Sequence, residues 1–315
     1  MTVHVIVNRR ARKLVEGSDG ALLRVIERFA ARAALHETRS FDDLDAAARA
    51  VAEAGAGAVI LAGGDGSYGA GITALGRAFD AAARPLPPIG LAGGGTVSTV
   101  ARNLGLRGDG ARFTERLLDA AIGGAARERA QPTLHVADAN GGDRTGFIFG
   151  TGLVAQFFDV YDAAPRQGYA EAARIVARIF AGSFTGGALA ERVLAPMPCA
   201  LDVDGARARA AAYSLIVSSV VRDLGLHVHV VHRSGEDPRR VHLVASPLDA
   251  RRLGPQLPLV LAGRRLLGRD HVDTLAARFR VTFTGDVAKY VLDGDVHAAA
   301  WVDVSAGPVL RLLTP

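Results

Sequence analysis

Short apolar runs and segments of helical period alternate along the first part of the chain. Val3–Val7 is a continuous apolar run ending at Asn8, the pattern of a strand buried on both faces. Leu22, Leu23, Ile26, Phe29 and Ala30 then recur at helical spacing, with Ser18 or Asp19 placed to cap that helix. His36–Thr38 is a short extended piece, and Asp42 opens an alanine-rich helix reaching about Ala54. Ala58–Ala62 is a second buried strand, and it runs straight into Gly63-Gly64-Asp65-Gly66-Ser67. The helix that starts there stops before the prolines of 85–88. Ile89–Ala92 repeats the theme, leading into Gly93-Gly94-Gly95-Thr96 and a helix, and Arg112–Ile122 forms one more. Strand–helix alternation with short glycine turns predicts an α/β domain whose sheet is mostly parallel.

After Gly123-Gly124 the period changes. Strands are predicted at Thr133–Asp138, Thr145–Phe149, Ala200–Val203, Tyr213–Val221, His227–Val231, Arg240–Ala245, Arg278–Thr284 and Lys289–Leu292. One amphipathic helix interrupts them at about Ala170–Ala181. Asn140-Gly, Asp204-Gly, Ser234-Gly and Gly285-Asp supply turns between strands. This half reads as an antiparallel β-sandwich. The expected division is a nucleotide-binding α/β domain over 1–126 and a β-sandwich substrate domain over 127–303.

Composition narrows the chemistry. Of 315 residues, 49% are hydrophobic and 22% charged, which excludes a disordered or low-complexity chain. Only Lys13 and Lys289 among the 37 basic residues are lysines, and neither follows a glycine. A GxxxxGK[ST] phosphate loop is therefore absent. The single Cys199 excludes a disulfide framework and fits a reducing compartment. A transmembrane helix and a signal-peptide core are not expected, so a cytoplasmic location is the reading. The net charge of +5 comes without a basic stripe interleaved with aromatics, which argues against nucleic acid. It fits peripheral contact with an anionic inner membrane face equally well.

Two glycine-rich turns follow strands at the edge where open α/β sheets bind ligands. Glycines let a backbone approach phosphate closely, and a following helix N-terminus adds partial positive charge. An aspartate inside such a loop repels phosphate unless Asp65 holds Mg²⁺. Far along the chain, Asp293-Gly294-Asp295 follows a strand. If the strand persists, alternation puts both carboxylates on one side, as a metal pair or as a general base with a raised pKa. The plain alternative is an Asp-Gly hairpin turn. His227 and His229 share a face if their segment is a strand, but no acidic third ligand is apparent. His297 lies two residues beyond Asp295.

The order of these motifs resembles the diacylglycerol kinase catalytic family, which includes bacterial lipid kinases and sphingosine kinases. Gly63–Ser67 matches its GGDG[TS] segment. Pro88–Thr96 followed by Ala101-Arg102-Asn103-Leu104-Gly105 is similar to its P-[IL]-G…G-T…A-R-x-L-G stretch. Asn8 stands at its opening N-P-x-x-G, and Thr38 at a position near the nucleotide. Phe149–Ala155 looks like the glycine strand of its second domain. Asp293-Gly294-Asp295 falls where the family has Asp-Gly-Glu.

The resemblance implies Mg²⁺-dependent transfer of the ATP γ-phosphoryl group to a lipid hydroxyl at a membrane surface. It also implies that the last strand, about 304–315, returns to the first domain. Asn8, Thr38, Gly63, Gly64, Asp65, Gly66, Ser67, Gly94, Gly95 and Thr96 would bind nucleotide. Asp65 and Asp293 would serve the metal, and Asp295 would be the base, with Asp65 beside it as the second catalytic residue. A homodimer is compatible with this reading. Several positions depart from the family. Arg9 replaces a proline, Ala70 replaces a glutamate, and Ser98 and Thr99 replace an Asn-Asp pair. The glycine- and Asp-rich loop that binds a structural Mg²⁺ in some bacterial members is nearly absent. A kinase of a soluble acceptor, as in NAD kinases, and an inactive nucleotide- or lipid-binding relative are the alternatives.

Overall fold

A computed structural model of the chain describes residues 2–11, 14, 20–93, 99–105, 110–166, 168–285 and 287–315. It divides into two compact units, Met1–Gln131 with Val309–Pro315, and Pro132–Pro308.

The first unit contains β1 (Val3–Asn8), α1 (Ala21–Arg28), β2 (Ala34–Thr38), α2 (Phe41–Ala54), β3 (Ala58–Gly63), α3 (Asp65–Ala81), β4 (Ile89–Gly93), α4 (Thr99–Asn103), α5 (Gly110–Gly123) and β5 (Arg127–Gln131). The first four strands are parallel and ordered β2-β1-β3-β4. Leu310–Thr314 inserts next, parallel to β4 and antiparallel to β5, which closes the far edge. Arg127–Gln131, placed by sequence at the start of the second domain, is therefore a strand of the first sheet.

Packing explains the apolar runs. Val3, Val5 and Val7 of β1 share a core with Leu22, Val25, Ile26 and Phe29 on one side of the sheet, together with Leu117 and Leu118 of α5. Gly71 of α3 abuts Leu61 of β3 from the opposite face, where a Cβ would come within 2.9 Å of the leucine. Burial on both faces leaves no position for polar alternation. Val25 takes the inward place expected for Ala30, which is exposed. Gly20 is the N-cap of α1, and Ser18 and Asp19 lie outside the described residues. Helix α2 is fixed by a reciprocal capping box, in which the Asp43 amide donates to Ser40 Oγ and the Ser40 amide to Asp43 Oδ2.

The second unit contains β6 (Leu134–Asp138), β7 (Asp143–Gly146), β8 (Ile148–Gly152), α6 (Leu153–Asp162), α7 (Tyr169–Thr185), α8 (Ala188–Val193), β9 (Met197–Val203), β10 (Ala206–Arg207), β11 (Ala212–Tyr213), β12 (Leu215–Ser219), β13 (Val241–Ser246), α9 (Ala250–Leu253), α10 (Leu257–Leu261), β14 (Val272–Ala276), β15 (Arg278–Phe283), β16 (Ala288–Leu292), β17 (Asp295–Ala299) and β18 (Trp301–Ala306). One antiparallel sheet runs β10-β9-β15-β18-β6-β7 with β11 beside β9, and the other runs β14-β13-β12-β8-β16-β17. They face one another through Phe149 against Phe279, with ring centroids 5.7 Å apart. A polar network also joins them. Tyr290 Oη and Arg144 Nη1 both donate to Asp138 Oδ2 at 2.6 Å. Helices α7 and α8 cover Leu215, Val217 and Val244 on the outer face of the second sheet.

Four expectations change in this unit. Thr145–Phe149 and Tyr213–Val221 are not single strands; each switches sheets, at Phe147 and Ser214. His227–Val231 is not a strand, because Leu226 and His227 both adopt left-handed backbone (φ 54° and 58°) and turn the chain. The glycine strand stops at Gly152, whose φ of 67° starts α6, and a Cβ there would sit 2.5 Å from the Ser214 carbonyl oxygen. Finally, the unit carries five helices among its described residues rather than one.

Candidate active site

In the first unit the sheet register draws the expected nucleotide residues into a line. Asn8 pairs with Thr38, and Gly63 pairs with Gly93. Val7 pairs with Ala62, so Asn8 and Gly63 end adjacent strands. Carboxyl ends of four parallel strands thus form one row. The chain leaves β1 for β2 on one side and returns for β3 on the other, which makes the β1/β3 boundary a topological switch point.

Side chains fasten this row. Asn8 Nδ2 donates to Ser67 Oγ at 2.7 Å, and Ser67 Oγ also accepts the Gly64 amide at 3.3 Å. Gly63 is required here, since a Cβ would lie 2.5 Å from Ser67 Cβ. The Thr38 hydroxyl donates to the Val7 carbonyl at 3.3 Å, holding β2 to β1. Tyr68 is fully buried and donates its hydroxyl to the Ala92 carbonyl at 3.0 Å, docking α3 on β4. Helix α3 starts at Asp65, two residues beyond Gly63, so its first-turn amides, which have no acceptor within the helix, lie at this end of the sheet. Gly94, Gly95 and Thr96 lie outside the described residues.

Asp65 is the first residue of α3, and its carboxylate reaches the start of α4. The Val100 amide donates to Oδ2 at 3.1 Å and the Ala101 amide to Oδ1 at 3.4 Å. Burial pushes this carboxyl above the usual range, opposed by these amides, by that of Thr99 and by the charge of Arg102. Sequence reasoning missed the link to α4, because nothing local pairs Asp65 with residues 35 positions away. A carboxylate offers about four lone-pair sites. Three amides therefore leave one lone pair for a hard cation. Oxygen donors of this kind, with few protein carboxylates, suit Mg²⁺ bridged to phosphates. Asp65 fits such an ion.

In the second unit, β16 and β17 form a hairpin in which Leu292 pairs with Asp295. Asp293 (φ 52°) and Gly294 (φ 96°) are its two turn residues, both left-handed as in a type I′ turn. The alternation expected across Asp293 and Asp295 therefore fails, and the two carboxylates part. Asp293 is buried and accepts the amides of Phe147 at 3.0 Å and Ile148 at 2.8 Å. Its task is to hold the start of β8, which differs from the metal ligand expected from sequence. Asp295 is left exposed at the mouth of the hairpin, and the desolvation it does meet there raises its carboxyl above the usual range. His297 follows on the same strand, against the Tyr290 ring at 5.2 Å, and burial with the nearby Arg144 charge lowers its pKa.

The histidines also differ from expectation. Asp223 Oδ2 lies 3.6 Å from His227 Nδ1 and 4.0 Å from His229 Nε2, so an acidic neighbour is present after all. His232 stands beside His242, whose Nε2 lies 2.9 Å from Asp273 Oδ1 and whose Nδ1 accepts the Arg233 amide.

Residues 2–126 match the sequence profile of the diacylglycerol kinase catalytic domain. No curated protein matches the sequence. Among solved structures, a diacylglycerol kinase from Bacillus anthracis str. Sterne superposes with a TM-score of 0.63 at 12% identity, covering 100% of this chain and 97% of that one. Two further structures from that organism, named as proposed diacylglycerol kinases, give TM-scores of 0.70 and 0.65 at 12% and 13% identity. Each covers 100% of this chain, and 97% and 98% of their own lengths are matched. At such identity the likeness establishes the fold.

Proposed function

We propose, from the premise that residues 2–126 belong to the diacylglycerol kinase catalytic domain family, that this protein is an ATP-dependent lipid kinase. The observation that carries the reading is the row Thr38, Asn8, Gly63 and Gly93 at the carboxyl ends of four parallel strands, with the N-terminus of α3 beginning two residues beyond Gly63.

Phosphoryl transfer asks a protein for positioning, charge neutralisation and one proton acceptor. The Gly63-Gly64 backbone and the α3 amides bind phosphate oxygens, and Asn8 keeps Ser67 and the loop in register. Asp65 would hold Mg²⁺ with the lone pair that its bonds to α4 leave free. The chemistry such an ion would supply is neutralisation of the negative charge on the transferred phosphoryl group. Asp295 accepts the proton of the lipid hydroxyl. The hydroxyl oxygen then forms its bond to the γ-phosphorus as the bond to ADP breaks. A raised pKa brings this carboxylate nearer to the value a base needs.

No helix among the described residues is long and apolar enough to cross a membrane. The test is γ-labelled ATP with Mg²⁺ and a total lipid extract. Label in the lipid phase supports the reading. Label only in a soluble acceptor, or tight nucleotide binding with no transfer, would replace it with a soluble-substrate kinase or an inactive relative, the latter in keeping with Ala70 and Thr99.

A further inference from the structure

The segment 250–269 carries Arg251, Arg252, Arg264, Arg265 and Arg269 and no acidic residue. Those five charges equal the net charge of the whole chain, +5. The segment folds as α9, one tight helical turn (Gly254–Gln256), α10 and a loop leading to β14. Its inner side is ordinary core, since Ala250, Leu253, Val260 and Leu266 pack with Val231 and Val244.

Its outer side is not ordinary surface. Leu261 is 44% exposed and Leu267 65% exposed. Leu267 is not on a loose loop. Its amide donates to Gln256 Oε1 at 2.7 Å and its carbonyl accepts from Gln256 Nε2 at 2.8 Å, a two-way clamp on one backbone unit. His271 makes a further contact to the same carbonyl at 3.0 Å. The fold thus spends three polar contacts to hold a large aliphatic side chain in solvent. In the same segment, which Asp249 and Asp270 flank, Arg251, Arg252, Arg264 and Arg269 are exposed and form no ion pair among the described residues, while Arg265 pairs with Asp273 at 3.0 Å.

Displayed aliphatic side chains and unpaired arginines carried on one short segment match one kind of surface. The leucines gain by leaving water, and the guanidinium groups find phosphates at the level of the headgroups. A protein partner would have to be strongly acidic to offer the same complement. We propose that α10 and the loop through Arg269 dock this protein on an anionic lipid bilayer, an inference that rests on the lipid-kinase reading and supplies the surface by which it reaches its substrate.

Co-sedimentation of the full chain, without nucleotide, with vesicles of phosphatidylcholine alone or mixed with phosphatidylglycerol tests this. The protein is expected to pellet with the anionic vesicles only, and to be released by high salt. Each arginine reversed should weaken binding by at least about five-fold. Arg264→Glu with Arg269→Glu, and separately Leu261→Ser with Leu267→Ser, should therefore release the protein while melting as the parent does. Parent-like pelleting of both variants, or no pelleting with either vesicle, would overturn the proposal. So would a loss of self-association in the leucine variant with its vesicle binding unchanged. Docking without phosphoryl transfer would instead overturn only the kinase reading. Transfer to detergent-dispersed lipid without docking would overturn only this one.

Discussion

Asn8 and Ser67, 59 residues apart in sequence, share a 2.7 Å hydrogen bond that ties the end of β1 to the first turn of α3. Removing it with Asn8→Ala should cost about 1 kcal/mol of stability. If the turn binds phosphate as proposed, the loss should also weaken ATP binding by more than that cost in stability explains. Calorimetric titration with nucleotide, set beside urea melts, checks the pair of effects. Gly63→Ala, which drives a methyl into Ser67, should weaken binding further.

Asp65→Asn keeps the shape and one acceptor for α4 but loses the charge proposed to hold Mg²⁺. Transfer should fall by roughly 10²–10³-fold, with the remaining activity needing more Mg²⁺. A variant with parent-like Mg²⁺ dependence would remove Asp65 from the metal site.

Asp293→Asn separates structure from catalysis at the hairpin. Asparagine tolerates left-handed backbone and can still accept the Phe147 and Ile148 amides, although without charge assistance. A destabilisation of about 1 kcal/mol with unchanged Mg²⁺ dependence is expected. A shifted Mg²⁺ dependence would restore this residue as a ligand.

Asp295→Asn should lower transfer by about 10²–10⁴-fold and leave ATP binding intact. The pH profile carries the sign. The folded pKa is raised by desolvation, so activity should rise with pH through a value above the ordinary 3.8. A raised carboxylate pKa contributes stability only at low pH and loses it as pH rises through the folded value. Asp295→Asn should therefore be no less stable than the parent at neutral pH.

Asp138 has the opposite sign. Burial alone would raise its pKa, but Tyr290, Arg144 and the amides of Gly142 and Asn140 together hold it down to about 2. Its stabilisation is present above the ordinary 3.8 and is lost as pH falls towards 2. Asp138→Ala strands Arg144 and Tyr290 and should cost about 3 kcal/mol near pH 7, with a smaller difference near pH 2. Equilibrium unfolding across that range measures it.

Legibility followed the range of the forces. The strands at Val3–Asn8, Ala58–Gly63 and Ile89–Gly93 were readable because burial on both faces writes itself into consecutive residues. Gly63–Ser67 was readable because close backbone approach demands glycine. Asp293-Gly294-Asp295 was located but misread, because two left-handed residues interrupt the alternation that strand logic assumes. The His227–Val231 segment failed for the same reason at Leu226 and His227. The bond from Asp65 to α4 had no local signature, because it depends on where two loops meet in the folded sheet.

The strand Leu310–Thr314 has a consequence for how the molecule is made. It lies inside the first sheet, between β4 and β5, and Thr314 bonds to Arg127 from 187 residues further along the chain. During synthesis the first sheet therefore waits with a gap at β4 until the whole sandwich has emerged. The segment 2–126 that carries the family signature thus lacks two strands of its own sheet. Two exposed strand edges persist for the time a ribosome needs to add the intervening chain, and they must be shielded from other chains over that interval.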